Sequence, residues 1–317
     1  MIEEQKLSEV GDETVFATTA DTGRLEWQVK RLIRSLSKYV PESEVVVFVP
    51  TSSFGDLSQD TIQLLGRTTT VVTGEIPIQK YPISALIQAF VKAEEVSNAK
   101  RIVALDTDTV FTNRMQIPEG GDTWLRSADV GAQYWTTDSA WKDWEQLYEK
   151  FDLSLPETND RLIASVDNKN IPPYWNSGVV ATTDLSLPTR WLDITRKIHR
   201  DDSLPVGSSE FFLDQISLAL AVRSNDVREL PVEANFPLGG SVWIPSEVQV
   251  IHYGDERNLS RIICPELRRK LRELDALPPL TPSSLWTSLL DIASTQSGKV
   301  LSYEQKERIK NTLNSHE

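Results

Sequence analysis

The chain has 317 residues, a formal net charge of −13, 25% charged and 39% hydrophobic residues, and a single cysteine. This balance is typical of a globular protein with enough residues for one large α/β domain or two small ones. The acidic charge argues against non-specific nucleic-acid binding, and one cysteine excludes an internal disulfide and a cysteine-based zinc site. An anionic ligand would therefore have to be held by a metal ion, a helix N-terminus or a few basic side chains.

The first half of the chain alternates between strand and helix patterns. In chain order these are a strand over Glu13–Ala20, a helix over Leu25–Tyr39, a strand over Glu44–Val49, a short helix over Thr61–Leu65, a strand over Thr69–Val72, a helix over Ser84–Val96 and a strand over Ile102–Leu105. Such alternation predicts a parallel, nucleotide-binding α/β sheet. The glycine-rich patterns of dinucleotide-binding folds and of P-loop NTPases are missing from the sequence, so neither class fits.

The second half is less regular and begins with a stretch rich in tryptophan. It contains, in order, a strand over Ala128–Gln133, a helix over Trp141–Phe151, a polar turn that opens into a strand within Tyr174–Ala181, helices over Pro188–His199 and Ser208–Val222, a strand over Val248–Tyr253, and helices over 265–276, 282–295 and 303–314. No stretch approaches the ~20 apolar residues of a membrane-spanning helix, and the polar start Met1–Lys6 is unlike a secretory signal. We therefore expect a cytoplasmic protein without a transmembrane segment.

Two carboxylates follow the apolar strand Ile102–Leu105. Because the side chains of an extended chain alternate, Asp106 and Asp108 point the same way, and two like charges at a strand end favour a cation between them. Their oxygens suit Mg²⁺ or Mn²⁺, which would also accept phosphate oxygens. The alternative is a solvated turn without a ligand, and on these residues alone the two interpretations weigh about equally.

His252 has the same setting as the acid pair, because it ends an apolar strand just before Gly254. A neutral imidazole beside two carboxylates would suit Mn²⁺ better than Mg²⁺ and would leave coordination positions for two phosphate oxygens. The alternative is a histidine with a purely structural role, which is the more frequent case for a lone histidine.

Two further polar motifs are candidates for sugar binding. In Asn176-Ser177-Gly178 the glycine would let the backbone approach a ligand and Asn176 would bond to a polyol; the alternative is simple turn chemistry. Asp214-Gln215 would turn a carboxylate and an amide towards sugar hydroxyls; the alternative is an acidic first turn favoured by the helix dipole.

The order of these motifs resembles that of the glycogenin-like, family 8-like retaining glycosyltransferases with a GT-A fold. The matching pieces are Thr-Thr-x-Asp after the first strand, Asp-x-Asp, Asn-Ser-Gly-Val, Asp-Gln and the terminal His, and they cover roughly residues 13–262. The resemblance implies a mixed, mostly parallel sheet flanked by helices. It implies a catalytic domain over 1–262, with a nucleotide-binding half (13–112) and an acceptor or sugar half (113–262), and leaves a C-terminal helical extension over 263–317.

The same resemblance implies transfer of a sugar, with retention, from a nucleotide-sugar donor to a carbohydrate, lipid-linked or protein acceptor. The donor is usually UDP-linked, and Mn²⁺ (or Mg²⁺) would be held by Asp106, Asp108 and His252. The residues implied to contact the sugar, and so our catalytic candidates, are Asn176, Asp214 and Gln215. The residues implied to contact the rest of the donor are Thr18, Thr19, Asp21, Thr107, Ser177, Gly178, Gly254 and Arg257, beside the two metal-binding acids.

The sequence departs from the family pattern after the histidine. The lysine that normally binds the pyrophosphate is missing, and Arg257 is only a positional substitute. Two alternatives to an active transferase therefore stay open. One is a binding protein that keeps the nucleotide pocket without turnover, and the other is a haloacid-dehalogenase-like phosphatase, whose nucleophile motif resembles Leu105–Val110. The apolar stripe of the predicted helix over 282–295 favours packing on the catalytic domain or on a second subunit, which would make a homo-oligomer.

Overall fold

The computed structural model describes residues 6–128, 134–157, 160–164, 169–240, 244–260, 262 and 264–277. The strands are β1 (Leu7–Glu9), β2 (Thr14–Thr19), β3 (Glu44–Pro50), β4 (Thr70–Gly74), β5 (Arg101–Leu105), β6 (Thr109–Phe111), β7 (Gln116–Pro118), β8 (Thr123–Ser127), β9 (Leu162–Ile163), β10 (Asn170–Ile171), β11 (Trp175–Thr182), β12 (Val227–Glu229), β13 (Phe236–Pro237) and β14 (Val250–His252). The α-helices are α1 (Arg24–Tyr39), α2 (Thr51–Phe54), α3 (Gln59–Thr68), α4 (Ser84–Val96), α5 (Trp141–Lys150), α6 (Leu187–Arg200), α7 (Leu213–Ala221), α8 (Glu256–Ser260) and α9 (Pro265–Glu273).

A seven-stranded sheet with the order β12-β8-β11-β5-β2-β3-β4 organises the fold. Strands β4, β3, β2 and β5 run parallel, which suits their nearly continuous apolar sequences. Strand β11 pairs antiparallel with both β5 and β8, and β12 pairs parallel with β8. Within this sheet β11 therefore runs against the other strands, and the predicted mixed, mostly parallel sheet is confirmed.

Helices cover both faces of this sheet, as predicted. Successive strand residues face opposite ways, so Val15 and Ala17 pack into one core cluster together with α4, α6 and α7. Phe16, between them, packs into the other cluster with α1 and α3. The apolar stripe that α1 buries in that second cluster consists of Val29, Leu32, Ile33 and Leu36.

A three-stranded sheet, β13-β14-β6, is joined to the large sheet through residues 106–108. Strand β6 follows β5 directly after this turn and pairs antiparallel with β14, which pairs parallel with β13. Helix α9 belongs to the same unit, because Leu267 and Leu271 share a core cluster with Ile251 and Tyr253. The first predicted C-terminal helix is thereby confirmed, and those over 282–295 and 303–314 lie outside the described residues.

The structure adds a strand that the sequence did not predict, directly before the one predicted over Ala128–Gln133. The observed strand is β8, which ends at Ser127, and residues 129–133 lie outside the described ranges. Two polar residues of this strand, Thr123 and Ser127, are buried. The hydroxyl of Thr123 bonds to the hydroxyl of Thr182 (3.1 Å), and the hydroxyl of Ser127 donates to the carbonyl of Ile163 (2.6 Å). Buried hydroxyls satisfied in this way do not show as an apolar pattern.

The helix predicted over Ser208–Val222 is divided into a 3₁₀ segment and an α-helix. A 3₁₀ segment, Gly207–Phe212, comes first, and α7 begins at Leu213 after the backbone of Phe212 leaves the helical region (φ −101°, ψ 19°). Asp214 and Gln215 thus lie in the first turn of α7. Among the helices in the described ranges, none has both the length and the apolar character that crossing a bilayer requires.

Candidate active site

The predicted acid pair and His252 meet where the two sheets join. The amide of Asp106 donates to the carbonyl of Gly178 on β11 (3.0 Å), which fixes the turn that follows β5. Antiparallel pairing of β14 with β6 sets His252 opposite Thr109. As a result, Nε2 of His252 lies 3.2 Å from Oδ1 of Asp108 and 3.8 Å from Oδ2 of Asp106. The predicted convergence of these three side chains is confirmed.

The same three side chains make a group that fits a divalent cation. Their donor atoms all lie within 4.8 Å of one another, and each side chain is partly open to solvent. Oδ1 of Asp108 is buried, and Nε2 of His252 lies 3.2 Å from it. Two carboxylates and an imidazole suit Mn²⁺ or Mg²⁺, so the donor set matches the predicted metal.

The two carboxylates differ in how readily they ionise. Burial, and after it the negative charge of Asp108, raise the pKa of Asp106. Burial also opposes ionisation of Asp108, but the attraction and hydrogen bond of His252, with a smaller contribution from Arg24, outweigh it and lower the pKa of Asp108. In the absence of a cation the pair therefore favours one negative charge over two.

Gly178 on β11 lies against the imidazole of His252. A Cβ at this position would lie 2.3 Å from Cε1 and 2.5 Å from Nδ1 of His252, so a side chain here would displace the ring. The amide of Gly178 donates to Oδ1 of Asn176 (2.9 Å), and Nδ2 of Asn235 donates to the same oxygen (3.0 Å). The side-chain oxygen of the buried Asn176 is thus engaged within the protein; its predicted sugar contact stays a prediction.

Asp214 lies in the first turn of α7 and is buried. Its Oδ1 accepts a hydrogen bond from the hydroxyl of Tyr81 (2.7 Å), and its Oδ2 accepts one from the hydroxyl of Ser177. Burial raises the pKa of Asp214 although both hydrogen bonds oppose the rise. The adjacent Gln215 is half-buried. Sequence reasoning missed Tyr81, because a partner 133 positions away leaves no local pattern.

Four of the residues predicted to contact the donor gather around the carboxyl ends of β2 and β5. The buried hydroxyl of Thr18 donates to a carbonyl of β5 (2.8 Å), and that of Thr19 donates to a carbonyl of β3 (3.0 Å). Thr107 is buried and donates to Oε1 of Gln28 (2.9 Å). Asp21 is half-buried and accepts from the next backbone amide (2.7 Å). The threonines therefore brace the strand ends, and Asp21 is the more accessible group.

The loop after His252 holds the last predicted residues. Gly254 has a positive φ of 64°, which favours glycine at this turn. The side chain of Arg257 is 82% exposed and pairs with both carboxylate oxygens of Asp255 (2.8 Å each). A second arginine, which the sequence did not single out, reaches the same loop: Arg24 donates to the carbonyl of Gly254 and pairs with Glu256 (2.9 Å).

Known proteins resemble this chain in sequence and in fold. The family model described as a Rhodobacterales glycosyltransferase domain matches residues 16–226, well over half of the chain. No curated protein sequence matches the chain. Among solved structures, the chain is similar to the apo structure of WbbM, a bifunctional glycosyltransferase, with 14% identity, a TM-score of 0.48 and coverage of 86% of this chain and 50% of that one.

A second similar structure is the apo form of the glycosyltransferase GlyE from Streptococcus pneumoniae TIGR4. It has 16% identity and a TM-score of 0.46, and the match covers 93% of this chain and 66% of that one. The chain thus spans half the length of the WbbM chain and just under two thirds of the GlyE chain.

Proposed function

The chain belongs to the family of the Rhodobacterales glycosyltransferase domain. On this basis we propose that it is a metal-dependent enzyme that uses a nucleotide-sugar donor, and that this donor is a UDP-sugar. The observation that carries this proposal is the group Asp106, Asp108 and His252, whose donor atoms lie within 4.8 Å of one another. The group sits at the carboxyl end of β5, which is where ligands bind in open α/β sheets.

Asp106, Asp108 and His252 would hold Mn²⁺, or Mg²⁺, in this site. When bound, such an ion supplies Lewis-acid chemistry, because it neutralises the diphosphate of the donor and the charge of the departing nucleoside diphosphate. The chain itself supplies orientation. The absence of a side chain at Gly178 leaves room for the imidazole beside the acids, and the acid turn is held by its hydrogen bond to the Gly178 carbonyl (3.0 Å).

Retention at the anomeric carbon is part of the proposal, and it rests on the resemblance to glycogenin-like, family 8-like enzymes. The environment of Asp214 supports an orienting role over a nucleophilic one, because the hydroxyls of Tyr81 and Ser177 already occupy both of its oxygens. With no other carboxylate singled out as a nucleophile, we favour attack on the same face as the departing group, assisted by the leaving phosphate. Asn176, Asp214 and Gln215 remain the predicted sugar-side residues.

Two other functions can be separated from this one by experiment. A catalytically inactive nucleotide-sugar-binding protein is compatible with the missing lysine after His252. A haloacid-dehalogenase-like phosphatase is disfavoured by the family match and by the position of Asp106, which follows β5 and not the first strand of the chain. A cytoplasmic location and a subunit contact through the C-terminal helices stay predictions.

The first test is differential scanning fluorimetry with Mn²⁺ and a panel of nucleotides and nucleotide sugars. We expect stabilisation by UDP or a UDP-sugar only when Mn²⁺ is present, because the diphosphate is held through the ion. Stabilisation by no nucleotide, or equal stabilisation with and without metal, would contradict the proposal. Hydrolysis of p-nitrophenyl phosphate would instead favour the phosphatase.

The second test measures release of nucleoside diphosphate from the donor that binds. Asp108→Ala should abolish metal-dependent release, whereas Asp193→Ala, which removes an exposed acid on α6, should leave it unchanged. Full activity of Asp108→Ala would refute the assignment. Binding of UDP with neither hydrolysis nor transfer, across the panel of donors, would identify an inactive binder.

A further inference from the structure

Arg24 is a positive side chain at the edge of the candidate metal site. It is the first residue of α1, and about half of its side chain is exposed to solvent. Its Nε lies 2.9 Å from Oε1 of Glu256, and an Nη2 hydrogen bonds to the carbonyl of Gly254. These contacts use two of the five N–H donors of a guanidinium group, so donors remain for a ligand.

The loop that Arg24 contacts is fixed to the acid pair. Gly254 follows Tyr253, whose amide donates to the carbonyl of Asp108 (2.9 Å). Gln28, one turn further along α1, joins the same assembly: its Nε2 donates to Oε1 of Glu256 (3.1 Å), and its Oε1 accepts from the hydroxyl of Thr107 within the acid turn (2.9 Å). The guanidinium of Arg24 is therefore held against the loop after His252 by one backbone and one side-chain contact, and Gln28 and Tyr253 join that loop to the acid turn.

A diphosphate at this site needs more positive charge than one divalent ion provides. A nucleoside diphosphate bound through an ion at Asp106 and Asp108 would bring further negative charge to a chain whose net charge is already −13. Guanidinium groups bind phosphate oxygens through paired N–H donors. The sequence offered Arg257 for this task, but its side chain is 82% exposed against 51% for Arg24, and its carboxylate partner, Asp255, is only two positions away.

We propose that Arg24 binds the diphosphate of the nucleotide-sugar donor, and that Glu256 holds its guanidinium in the ligand-free state. This role rests on the proposed function, because it requires a donor that carries a diphosphate. Donor binding would exchange the carboxylate of Glu256 for phosphate oxygens as a partner of Arg24. The rival interpretation is that the Arg24–Glu256 pair only ties α1 to the loop, in which case its loss would change stability and not the preference for phosphate.

The experiment is isothermal titration calorimetry, with Mn²⁺ present, using UDP, inorganic pyrophosphate and uridine as probes. Arg24→Gln should weaken the binding of UDP and of pyrophosphate by about tenfold or more, which is the loss of one charge-assisted contact. Any affinity for uridine should be unchanged. Glu256→Gln should strengthen UDP binding, because it removes the competing carboxylate. Arg34→Gln, on the same helix and paired with Asp275, is the matched control and should change neither.

Several outcomes would overturn this role. The first is that Arg24→Gln binds UDP and pyrophosphate with wild-type affinity. The second is that Arg24→Gln loses as much affinity for uridine as for UDP. The third is that Arg257→Gln loses affinity for phosphate-bearing probes selectively while Arg24→Gln loses none. If Arg24→Gln does not fold, Arg24→Lys and Glu256→Gln carry the test: unchanged UDP affinity in both would overturn the proposal. Failure of the proposed function can be told apart from failure of the role of Arg24. If the wild-type protein binds pyrophosphate but not UDP, the nucleotide donor is contradicted, and the role of Arg24 can still be measured with pyrophosphate. Wild-type protein that binds neither probe overturns both.

Discussion

Gly178→Ala is expected to displace the imidazole of His252. The added methyl group would lie 2.3 Å from Cε1 of His252, whereas ordinary contacts begin near 3.4 Å, so the ring would have to move by about 1 Å. The strand cannot easily retreat, because its carbonyl at Gly178 accepts from the amide of Asp106 and its amide donates to Asn176. Metal–ligand distances tolerate about 0.2 Å, so displacement of this ligand should weaken Mn²⁺ binding by roughly 10–100-fold.

Calorimetric titration with Mn²⁺, together with urea unfolding of the metal-free protein, checks this prediction. Overpacking should lower the free energy of unfolding by about 1–3 kcal/mol. Gly66→Ala is the matched control, because nothing lies within 4 Å of a Cβ there, and in helix α3 it should be neutral or stabilise the fold by up to about 1 kcal/mol. Adding His252→Ala to Gly178→Ala should relieve the clash and restore stability without restoring metal binding. Wild-type Mn²⁺ affinity in a folded Gly178→Ala variant would refute the reasoning.

Three further predictions concern charge and hydrogen bonding. Because the pKa of Asp106 is raised from 3.8 to about 8, the folded metal-free protein holds a proton between these pH values that the unfolded chain releases. As pH increases through this range, the free energy of unfolding should fall and the affinity for Mn²⁺ should rise. Urea unfolding checks this: a pH dependence of stability equal to that of Asp106→Asn would contradict the prediction. Tyr81→Phe removes a hydroxyl that bonds to the buried carboxylate of Asp214, so urea unfolding should show a loss of about 1–3 kcal/mol; no loss would mean that water replaces the hydroxyl. Asn235→Ala leaves the oxygen of Asn176 with one donor fewer, and we expect thermal unfolding to show a loss of about 1 kcal/mol, with an unchanged midpoint counting against the pairing.

The sequence was most informative where buried strands end in polar residues. Asp106 and Asp108 follow one apolar strand and His252 ends another, and this shared setting predicted that the three side chains meet. They do so at the junction of two sheets. The pattern could not show which arginine contacts the loop after His252 from another element. Arg257 follows the histidine closely in sequence but pairs with its neighbour Asp255, whereas Arg24 comes from a helix more than two hundred positions earlier.

The environment of Asp214 was beyond the sequence for the same reason. A carboxylate in the first turn of a helix has no local feature that shows whether it faces solvent or a buried hydroxyl. Its partners, Tyr81 and Ser177, come from the segment before α4 and from β11, and only the packing of α7 against both brings them together. Strand β8 escaped detection because the hydroxyls of Thr123 and Ser127 are buried in hydrogen bonds and interrupt the apolar pattern.

The family match stops at residue 226, and the third member of the candidate metal-binding group lies beyond it. Asp106 and Asp108 fall inside the shared region, whereas His252 is carried by β14. A relative recognised through the shared region alone could therefore keep the acid pair and yet lack the imidazole. If this chain binds a cation as proposed, one of the three ligands comes from outside the region that defines its family.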